Sequence, residues 1–328
     1  MGRDFATAFV TGGSGFIGGR LLRRLTAEGV RVSALARSDA AAEAVGEAGA
    51  EPVPGDLGDR GSMAAGAAGA EVTFHLAAHV RDWGPRETFE RINVAGTRNA
   101  LEASREAGVG RFVHCGTEAA ILAGAPLHEA NETMPLRPDS PALYASTKAK
   151  AEALVREADG QDLRTVVIRP RFVWGAGDTV LLPQLEETVE AGRFAWIGGG
   201  GHRTSITHVD NAVEGLVLGA ERGRGGEAYF VTDGEPVVFR EFVSALLRTQ
   251  GVEPGERSIP APMAGALARS GELLWRALPL RGSPPLTRFA MWVASQECTL
   301  DDSKARAELG YAPVRSREEG LAELAQQL

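Results

Sequence analysis

The chain has 328 residues, of which 44% are hydrophobic and 24% charged, and its formal net charge is −8. These proportions are typical of a globular protein, and the length exceeds one average domain, so two lobes are expected. The acidic balance argues against a nucleic-acid partner, because phosphate binding needs a basic surface. Two cysteines, Cys115 and Cys298, provide no disulfide framework and are typical of a reducing cytoplasm.

A glycine-rich segment stands close to the N-terminus. Met1–Asp4 leads directly into the first predicted strand, Phe5–Val10, so no secretory signal peptide is expected. TGGSGFIG follows from Thr11 to Gly18, and leucines at helical spacing come next. Glycines at this spacing allow a sharp turn and let a pyrophosphate approach the amides at a helix N-terminus. An ordinary glycine-rich turn is the alternative, and the features that follow along the chain favour dinucleotide binding.

The second predicted strand, Arg31–Ala36, ends next to a cation. A carboxylate at this point would bind the ribose hydroxyls of NAD and repel a 2′-phosphate, whereas an arginine would pair with that phosphate. Arg37 occupies the position, with Asp39 close by. The sequence therefore favours NADP(H) over NAD(H), and a solvated arginine at a strand end is the alternative.

Strands alternate with helices through the first half of the chain. Residues 40–70 predict a short helix, a strand and another helix. Further predicted strands are Val72–Leu76, Arg111–Cys115 and Thr165–Ile168, and further predicted helices are Phe89–Ala107 and Leu143–Ala158. This alternation predicts an α/β fold, a Rossmann-type doubly wound parallel sheet. The pattern loosens after Arg171, which predicts a cofactor domain over residues 1–171 and a smaller substrate-binding lobe over 172–328, with segments that cross between them.

Tyr144 and Lys148 form the clearest catalytic signal. Residues four apart share one face of a helix, so the ammonium is expected beside the phenol. A phenol with a pKa of about 10 is a weak base at neutral pH, and adjacent positive charge from Lys148 and from an oxidised nicotinamide is expected to stabilise its phenolate. Tyr144 can then take a proton from an alcohol or give one to a ketone that is being reduced.

The remaining polar and apolar patterns are less specific. His75 and His79 lie at a strand end and in a loop, so no metal site is expected. The longest charge-free run of the C-terminal region, Ser258–Ala268, is too short for the roughly 20 apolar residues that cross a bilayer. No membrane span is expected. The apolar side chains that follow are expected to line the core or the substrate cavity: Leu273, Leu274, Trp275 and Leu278. Their association with a membrane surface is the alternative.

These motifs together resemble the extended branch of the short-chain dehydrogenase/reductase superfamily. The glycine motif and YASTK are joined by GDLGD from Gly55, HLAA from His75, NVAGTRN from Asn93 and RPRFVWGAGD from Arg169. Within that branch, THVDNAVEG from Thr207, YFVTDGEPVVFREF from Tyr229 and PPLTR from Pro284 are similar to the 3β-hydroxysteroid dehydrogenase family. The resemblance covers nearly the whole chain.

The resemblance also implies roles for individual residues. Thr117 is expected to hydrogen-bond the substrate oxygen, with Glu118 turned to solvent or capping, and Asn93 is expected to help hold the active-site helix. A homodimer is implied through the helices Phe89–Ala107 and Leu143–Ala158, with Ala145, Ala149 and Ala153 allowing close packing. Besides Arg37, Tyr144 and Lys148, the expected cofactor-binding residues are Thr11, Gly12, Gly15, Phe16, Ile17, Gly18, Asp56, Leu57, Ala77, Ala78 and Pro170.

The expected activity is the interconversion of a secondary alcohol and a ketone by a cytoplasmic NAD(P)-dependent enzyme. Four of the five tryptophans, Trp174, Trp196, Trp275 and Trp292, fall in the substrate half, which suits an apolar, steroid-like or polyketide-like compound. Alternatives are a natural-product ketoreductase, a decarboxylating sterol 4-carboxylate dehydrogenase and a nucleotide-sugar epimerase. The epimerase would need cations for a diphosphate, and Arg203 is the candidate. An NADP-sensing regulator without turnover is the non-enzyme alternative.

Overall fold

The structure is a computed structural model that describes residues 4–278 and 280–326. The strands of this part of the chain are β1 (Thr7–Thr11), β2 (Arg31–Ala36), β3 (Glu51–Pro54), β4 (Val72–His75), β5 (Arg111–Cys115), β6 (Leu127–Ala130), β7 (Arg164–Pro170), β8 (Val173–Trp174), β9 (Trp196–Ile197), β10 (Arg203–Thr204), β11 (Thr207–His208), β12 (Glu227–Val231), β13 (Val237–Val238), β14 (Ser258–Ile259) and β15 (Cys298–Leu300).

Its helices are α1 (Phe16–Ala27), α2 (Asp39–Glu47), α3 (Arg60–Gly66), α4 (Arg86–Phe89), α5 (Gly96–Glu106), α6 (Leu143–Glu157), α7 (Leu181–Glu190), α8 (Val209–Arg222), α9 (Phe239–Arg248), α10 (Ala261–Ala277), α11 (Arg288–Ser295), α12 (Ser303–Leu309) and α13 (Arg317–Ala325). A π-helical stretch, Glu90–Ala95, joins α4 to α5.

A parallel sheet of seven strands dominates the described residues. Its order is β12-β7-β5-β4-β1-β2-β3, and β1 pairs with both β2 and β4. The strand order therefore reverses beside β1, which is the switch point where doubly wound sheets bind ligands. The predicted Rossmann-type fold is confirmed, and the predicted strands Arg31–Ala36 and Arg111–Cys115 have the observed bounds.

The sheet strands are apolar along most of their length because helices cover both faces. One cluster of buried side chains includes Val10, Phe74 and Leu22 of α1. The cluster on the other face includes Phe9, Phe112 and Val155 of α6. Alternate residues of β1 thus enter opposite cores, and together the two cores hold the carboxyl ends of the strands rigidly in place.

The chain crosses between the two expected lobes. Beyond residue 171, helix α8 packs on β5 and β7, and strand β12 pairs with β7 at the edge of the main sheet. In the opposite sense, β6 leaves the first half and pairs with β15 in a second sheet of order β13-β10-β15-β6. These crossings join the substrate half to the cofactor half at several points.

The exposure of two sets of side chains, the leucines at the end of α10 and the alanines of α6, differs from what the sequence predicted. Leu273, Leu274 and Leu278 do not line a core, because their exposed fractions are 70%, 46% and 48%. They fall on and just after the outer helix α10, whose buried residues are Ala264, Gly265, Ala268 and Glu272. Ala145 and Ala149 are fully buried within the chain, so neither is free to pack against a second copy. In the part of the chain that the structure describes, no helix combines the length and the apolar composition needed to span a bilayer.

Candidate active site

The glycine loop connects β1 to α1 at the carboxyl edge of the sheet. Gly12 has a φ of +78°, and a Cβ there would lie 2.6 Å from the amide nitrogen of Ala77. A Cβ on Gly18 would lie 2.0 Å from the carbonyl oxygen of Gly12. Both positions therefore require glycine. Gly15 precedes the first turn of α1 without a side-chain cap, so the amides of Phe16 and Ile17 at this helix end are available to an anion.

The other expected cofactor residues lie at the same edge of the sheet. Arg37 directly follows β2, Asp56 follows β3, Ala77 follows β4, and Pro170 is the last residue of β7. The remaining two members of this set are Leu57 and Ala78. The fold thus brings residues that are distant in sequence to one edge, next to the glycine loop. A nicotinamide dinucleotide fits this arrangement, because the loop leaves a cradle that a Cβ would fill.

Thr11 forms buried hydrogen bonds beneath the glycine loop. Its buried hydroxyl lies 2.7 Å from Nδ1 of His75, and Nε2 of His75 lies 3.0 Å from the hydroxyl of Thr97. Burial lowers the pKa of His75 to about 3, so its imidazole is neutral. This chain of hydrogen bonds ties β1 to β4 and α5 under the loop. In this structure, Thr11 supports the cofactor site through the scaffold.

Lys148 lies buried on α6, one turn after Tyr144. Its ammonium donates a hydrogen bond of 2.9 Å to the carbonyl oxygen of Cys115 and lies 3.4 Å from Nε2 of His114. Burial lowers the pKa of Lys148, and the thiol group of Cys115 and the carboxyl group of Glu152 oppose that effect. The end of β5 therefore fixes the position of the ammonium. His114 was not identified from the sequence.

Asn93 holds α6 against the loop after β4. Its Oδ1 accepts a hydrogen bond from the amide of His79 at 2.6 Å, and its Nδ2 donates to the carbonyl oxygen of His79 at 3.2 Å. Nδ2 also lies 3.1 Å from the hydroxyl of Thr147, which is the residue before Lys148. Asn93 sits in the π-helical stretch and is buried. The expected support of the active-site helix is observed.

Thr117 follows β5 and belongs to a buried charged network. Its hydroxyl donates to Oε2 of Glu118 at 2.7 Å and accepts from the amide of Ala119 at 3.2 Å. Glu118 forms an ion pair with Arg171, and both side chains are nearly inaccessible to solvent. The Nε of Arg171 donates to the hydroxyl of Thr204 at 3.0 Å. The expectation that Glu118 faces solvent is wrong, because the Arg171 guanidinium compensates its charge inside the protein.

The phenol of Tyr144 is surrounded by groups that keep it protonated. Burial raises its pKa above the ordinary value, the Glu118 carboxylate and Cys115 add to that effect, and a hydrogen bond with Thr117 opposes it. The sequence predicted a lowered pKa through Lys148, but the ammonium is engaged by Cys115 and His114. The expected stabilisation of the phenolate also relied on the positive charge of an oxidised nicotinamide, and it stays a prediction for the cofactor-bound enzyme. Phe289 packs edge-on against the Tyr144 ring, with 5.3 Å between the ring centroids.

A cavity of about 760 Å³ opens beside the N-terminus of α6. Trp83 and Trp275 line it, whereas Trp174 and Trp196 are 1% exposed and belong to the core. Trp292 packs in a different apolar cluster. The cavity is also lined by three arginines that were not singled out from the sequence: Arg81, Arg86 and Arg276. Arg203 lies elsewhere, exposed on β10.

One group of potential metal-ligating side chains is present among the described residues. It consists of His208, Asp210 and Glu323, whose ligand atoms lie within 4.8 Å of one another. Arg20 forms ion pairs with both Asp210 and Glu323, and Arg315 also pairs with Asp210. Two guanidinium groups already satisfy these carboxylates. The cluster is therefore an ion-pair network that joins α1, α8 and α13.

The fold and the family match identify an extended short-chain dehydrogenase/reductase, an oxidoreductase that uses a nicotinamide cofactor. Residues 9–261 match the model of the 3-beta hydroxysteroid dehydrogenase/isomerase family. The chain belongs to that family. The resemblance found in the sequence is thus confirmed.

Two curated relatives align over nearly the whole chain. The 4-hydroxy-2-methyl-3-oxo-4-farnesyl-3,4-dihydroquinoline-1-oxide ketoreductase of Stigmatella aurantiaca is 47% identical over 97% of this chain and 95% of its own length. The 2-alkyl-3-oxoalkanoate reductase of Stenotrophomonas maltophilia is 38% identical over 96% of this chain and 97% of its own. Both names describe reductases, in agreement with the oxidoreductase class.

Solved structures share the fold. The dTDP-glucose 4,6-dehydratase DesIV of Streptomyces venezuelae, solved with NAD bound, superimposes with a TM-score of 0.75. It covers 98% of this chain and 96% of its own at 24% identity. At that identity the likeness concerns the fold, and the substrate has to be inferred from this chain's own residues.

Proposed function

We propose that this enzyme reduces a ketone on an apolar organic compound to a secondary alcohol, with NADP(H) as the preferred cofactor. The observation that carries the proposal is the convergence of Thr117, Tyr144 and Lys148 at the carboxyl end of β5, beside the glycine loop. Thr117 contacts the phenol, and Lys148 is held by the strand end that precedes Thr117. This set supplies a proton donor, an oxygen ligand and a positive charge.

The reaction uses these three side chains in distinct ways. The glycine loop and the N-terminus of α1 would hold the reduced cofactor, which when bound would supply the hydride for the carbonyl carbon. Tyr144 donates its proton to the carbonyl oxygen as that oxygen gains negative charge. Thr117 turns its hydroxyl from Glu118 to the same oxygen, where one hydrogen bond is enough to orient it. Lys148 stabilises the phenolate that remains, and uptake of one solvent proton restores the phenol.

The protonation state of Tyr144 is compatible with the reductive direction. A phenol whose pKa is raised keeps its proton over the ordinary pH range, which suits proton donation to a ketone. Alcohol oxidation needs the phenolate and is therefore favoured only at high pH. The reductase activities named for both curated relatives support the same direction.

The cofactor preference rests on Arg37. Its side chain is exposed directly after β2, and in the described part of the structure it takes part in no ion pair. Ser38 caps α2 by accepting a hydrogen bond from the amide of Ala41, so the positive end of α2 lies next to Arg37. Both features favour a 2′-phosphate, and Asp39 opposes them. In calorimetric titrations we expect tighter NADPH than NADH binding, and Arg37→Ala is expected to weaken mainly NADPH.

The substrate class is tested by a panel that is reacted with NADPH and with NADH. It contains steroid ketones, other bulky apolar ketones, long-chain oxo compounds and nucleotide sugars, with cofactor absorbance and product mass as readouts. We expect turnover of apolar ketones and none of nucleotide sugars. Epimerisation of a nucleotide sugar without activity on any apolar ketone would overturn the proposal. Tight NADPH binding without turnover of any compound would favour a cofactor-sensing regulator.

We also make proposals about the two lobes of the chain, its assembly into a dimer and its location in the cell. We infer a cofactor lobe drawn mainly from residues 1–171 and a substrate-binding lobe drawn mainly from 172–328, with segments that cross between them. Fragments cut near residue 171 by limited proteolysis should therefore stay associated. A homodimer through α5 and α6 leaves exposed Ala153 for the contact, and light scattering on purified protein measures its mass. A cytoplasmic location is inferred from the two buried free cysteines, and fractionation of cells tests it.

A further inference from the structure

The cavity beside α6 has an unusual lining for a site that takes an apolar substrate. Three arginines border it, and no acidic side chain is among its described lining residues. The whole chain, by contrast, carries a formal net charge of −8. A volume of about 760 Å³ is within the range that holds a drug-sized ligand. The cavity therefore combines room for an organic molecule with a local positive charge.

The carboxylates nearest to two of these arginines are engaged elsewhere. Glu90 lies 3.9 Å from Arg86 but accepts a hydrogen bond of 2.6 Å from Lys150. Glu272 lies 4.0 Å from Arg276 but binds both the amide and the Nε of Arg288 at 2.7 Å.

Arg81 takes part in no ion pair or hydrogen bond within residues 4–278 and 280–326. Its charge contributes to the lowered pKa of nearby His79, after burial of that imidazole. The three guanidinium groups thus retain donors for an anion.

The rest of the lining suits the apolar part of a ligand. The Arg276 guanidinium lies 5.5 Å above the centre of the Trp83 ring, which holds the cation over an aromatic face. Leu143 and Leu280 add aliphatic surface. The indole N–H of Trp275 is buried and has no acceptor among the described residues. A ligand oxygen would satisfy this donor, which is costly to leave unpaired.

The cavity is connected to the proposed catalytic residues. Leu143, which lines it, is the residue before Tyr144. The hydroxyl of Thr287 donates to Asp82 at 2.6 Å, which fastens the loop after β4 to the start of α11. Phe289 of α11 then packs against the ring of Tyr144. A ligand in the cavity would therefore lie along the N-terminal end of the helix that carries the phenol.

We propose that this cavity binds a carboxylate group on the substrate, so that the enzyme acts on apolar oxo acids. This inference rests on the proposed ketone reduction and narrows its substrate class. Arginine is suited to the role because its planar guanidinium can bind both oxygens of a carboxylate. Arg81 and Arg276 hold the anion, Trp83 and Trp275 cover the adjoining chain, and the ketone reaches Tyr144.

The test compares oxododecanoic acids, with the ketone at successive carbons, with their methyl esters. We expect the parent enzyme to have a higher kcat/KM for an acid than for its ester. Both guanidinium groups are exposed, and exposed charge pairs contribute about 0.2 to 1 kcal/mol, so Arg81→Gln and Arg276→Gln are each expected to lower kcat/KM for the acid by up to roughly fivefold. The ester should change only slightly. Arg269→Gln is the matched control, because Arg269 is exposed on α10 and lies outside the cavity lining.

Binding without turnover separates this inference from the proposed function. Dodecanoate is titrated into the protein with indole fluorescence as the readout, and methyl dodecanoate and inorganic phosphate are the comparison probes. Dodecanoate binding that is weakened in Arg276→Gln supports the site even if no ketone is reduced. Equal use of acid and ester, equal losses for both in the arginine variants, or preferential binding of phosphate would overturn the carboxylate site while ketone reduction stands.

Discussion

Burial raises the pKa of Tyr144 most, and the charge of Glu118 is expected to raise it further. The carboxylate accepts a hydrogen bond from Thr117 at 2.7 Å, and Thr117 in turn contacts the phenol. Two hydrogen bonds in series place the two oxygens at most ~5.5 Å apart. At an effective dielectric constant of about 20, unit charges at that separation interact by roughly 3 kcal/mol. Glu118→Gln removes this repulsion of the phenolate, which corresponds to roughly one to two pH units after local relaxation.

Loss of the Glu118 charge should shift the pH profiles of both reaction directions to lower pH. Loss of the Glu118 charge lowers the pKa of Tyr144, so alcohol oxidation, which needs the phenolate, should begin at lower pH. Ketone reduction, which needs the phenol, should decline at lower pH as well. The assay measures kcat across pH in both directions for the parent, Glu118→Gln and Glu118→Asp. Glu118→Asp retains the charge and should stay close to the parent.

Stability has to be followed in parallel, because Glu118 and Arg171 are a buried pair. Removing one partner from such a pair leaves an uncompensated charge and costs about 3 to 5 kcal/mol. Urea unfolding therefore accompanies each pH profile, and the profiles are compared only between folded samples. An unchanged midpoint in folded Glu118→Gln, or a shift to higher pH, would refute the electrostatic role of Glu118.

Three further outcomes are expected. Gly18→Ala should abolish measurable cofactor binding, because its Cβ would lie 2.0 Å from the Gly12 carbonyl oxygen; calorimetry that shows parent-like affinity would contradict this loop geometry. Lys148→Met should impair both cofactor binding and kcat, and circular dichroism is the control for folding. Glu152→Gln should reduce the free energy of unfolding by about 3 to 5 kcal/mol, because it leaves buried Arg169 without the carboxylate that it contacts at 2.9 Å. A change below 1 kcal/mol in urea unfolding would argue against that pair, by the same scale.

The sequence was sufficient for the parts of this protein that depend on local pattern. Apolar runs of strand length predicted β2 and β5 with their observed bounds, and the glycine spacing predicted the loop whose backbone excludes a Cβ at Gly12 and Gly18. The four-residue spacing of Tyr144 and Lys148 placed both on α6. Each of these features is fixed by residues that are close together in the chain.

The features that the sequence did not reveal depend on long-range contacts. Glu118 can be buried because Arg171, 53 positions away and directly after β7, neutralises its charge. The arginines of the cavity come from the loop after β4, from the start of α4 and from α10, and no local pattern links all three. Burial of α6 raised the pKa of Tyr144, whereas helical spacing alone suggested that Lys148 would lower it. The pairing of buried charges therefore could not be predicted from the sequence, because it depends on contacts that only the folded chain brings together.

The central claim is that Tyr144 supplies the transferred proton. The most direct measurement is kcat for Tyr144→Phe with NADPH and an accepted ketone, together with calorimetric NADPH affinity. Loss of a general acid lowers the rate about a hundredfold to ten-thousandfold, so kcat should fall within or beyond that range while NADPH affinity stays within a few-fold of the parent. A Tyr144→Phe enzyme that retained most of its kcat would contradict the account.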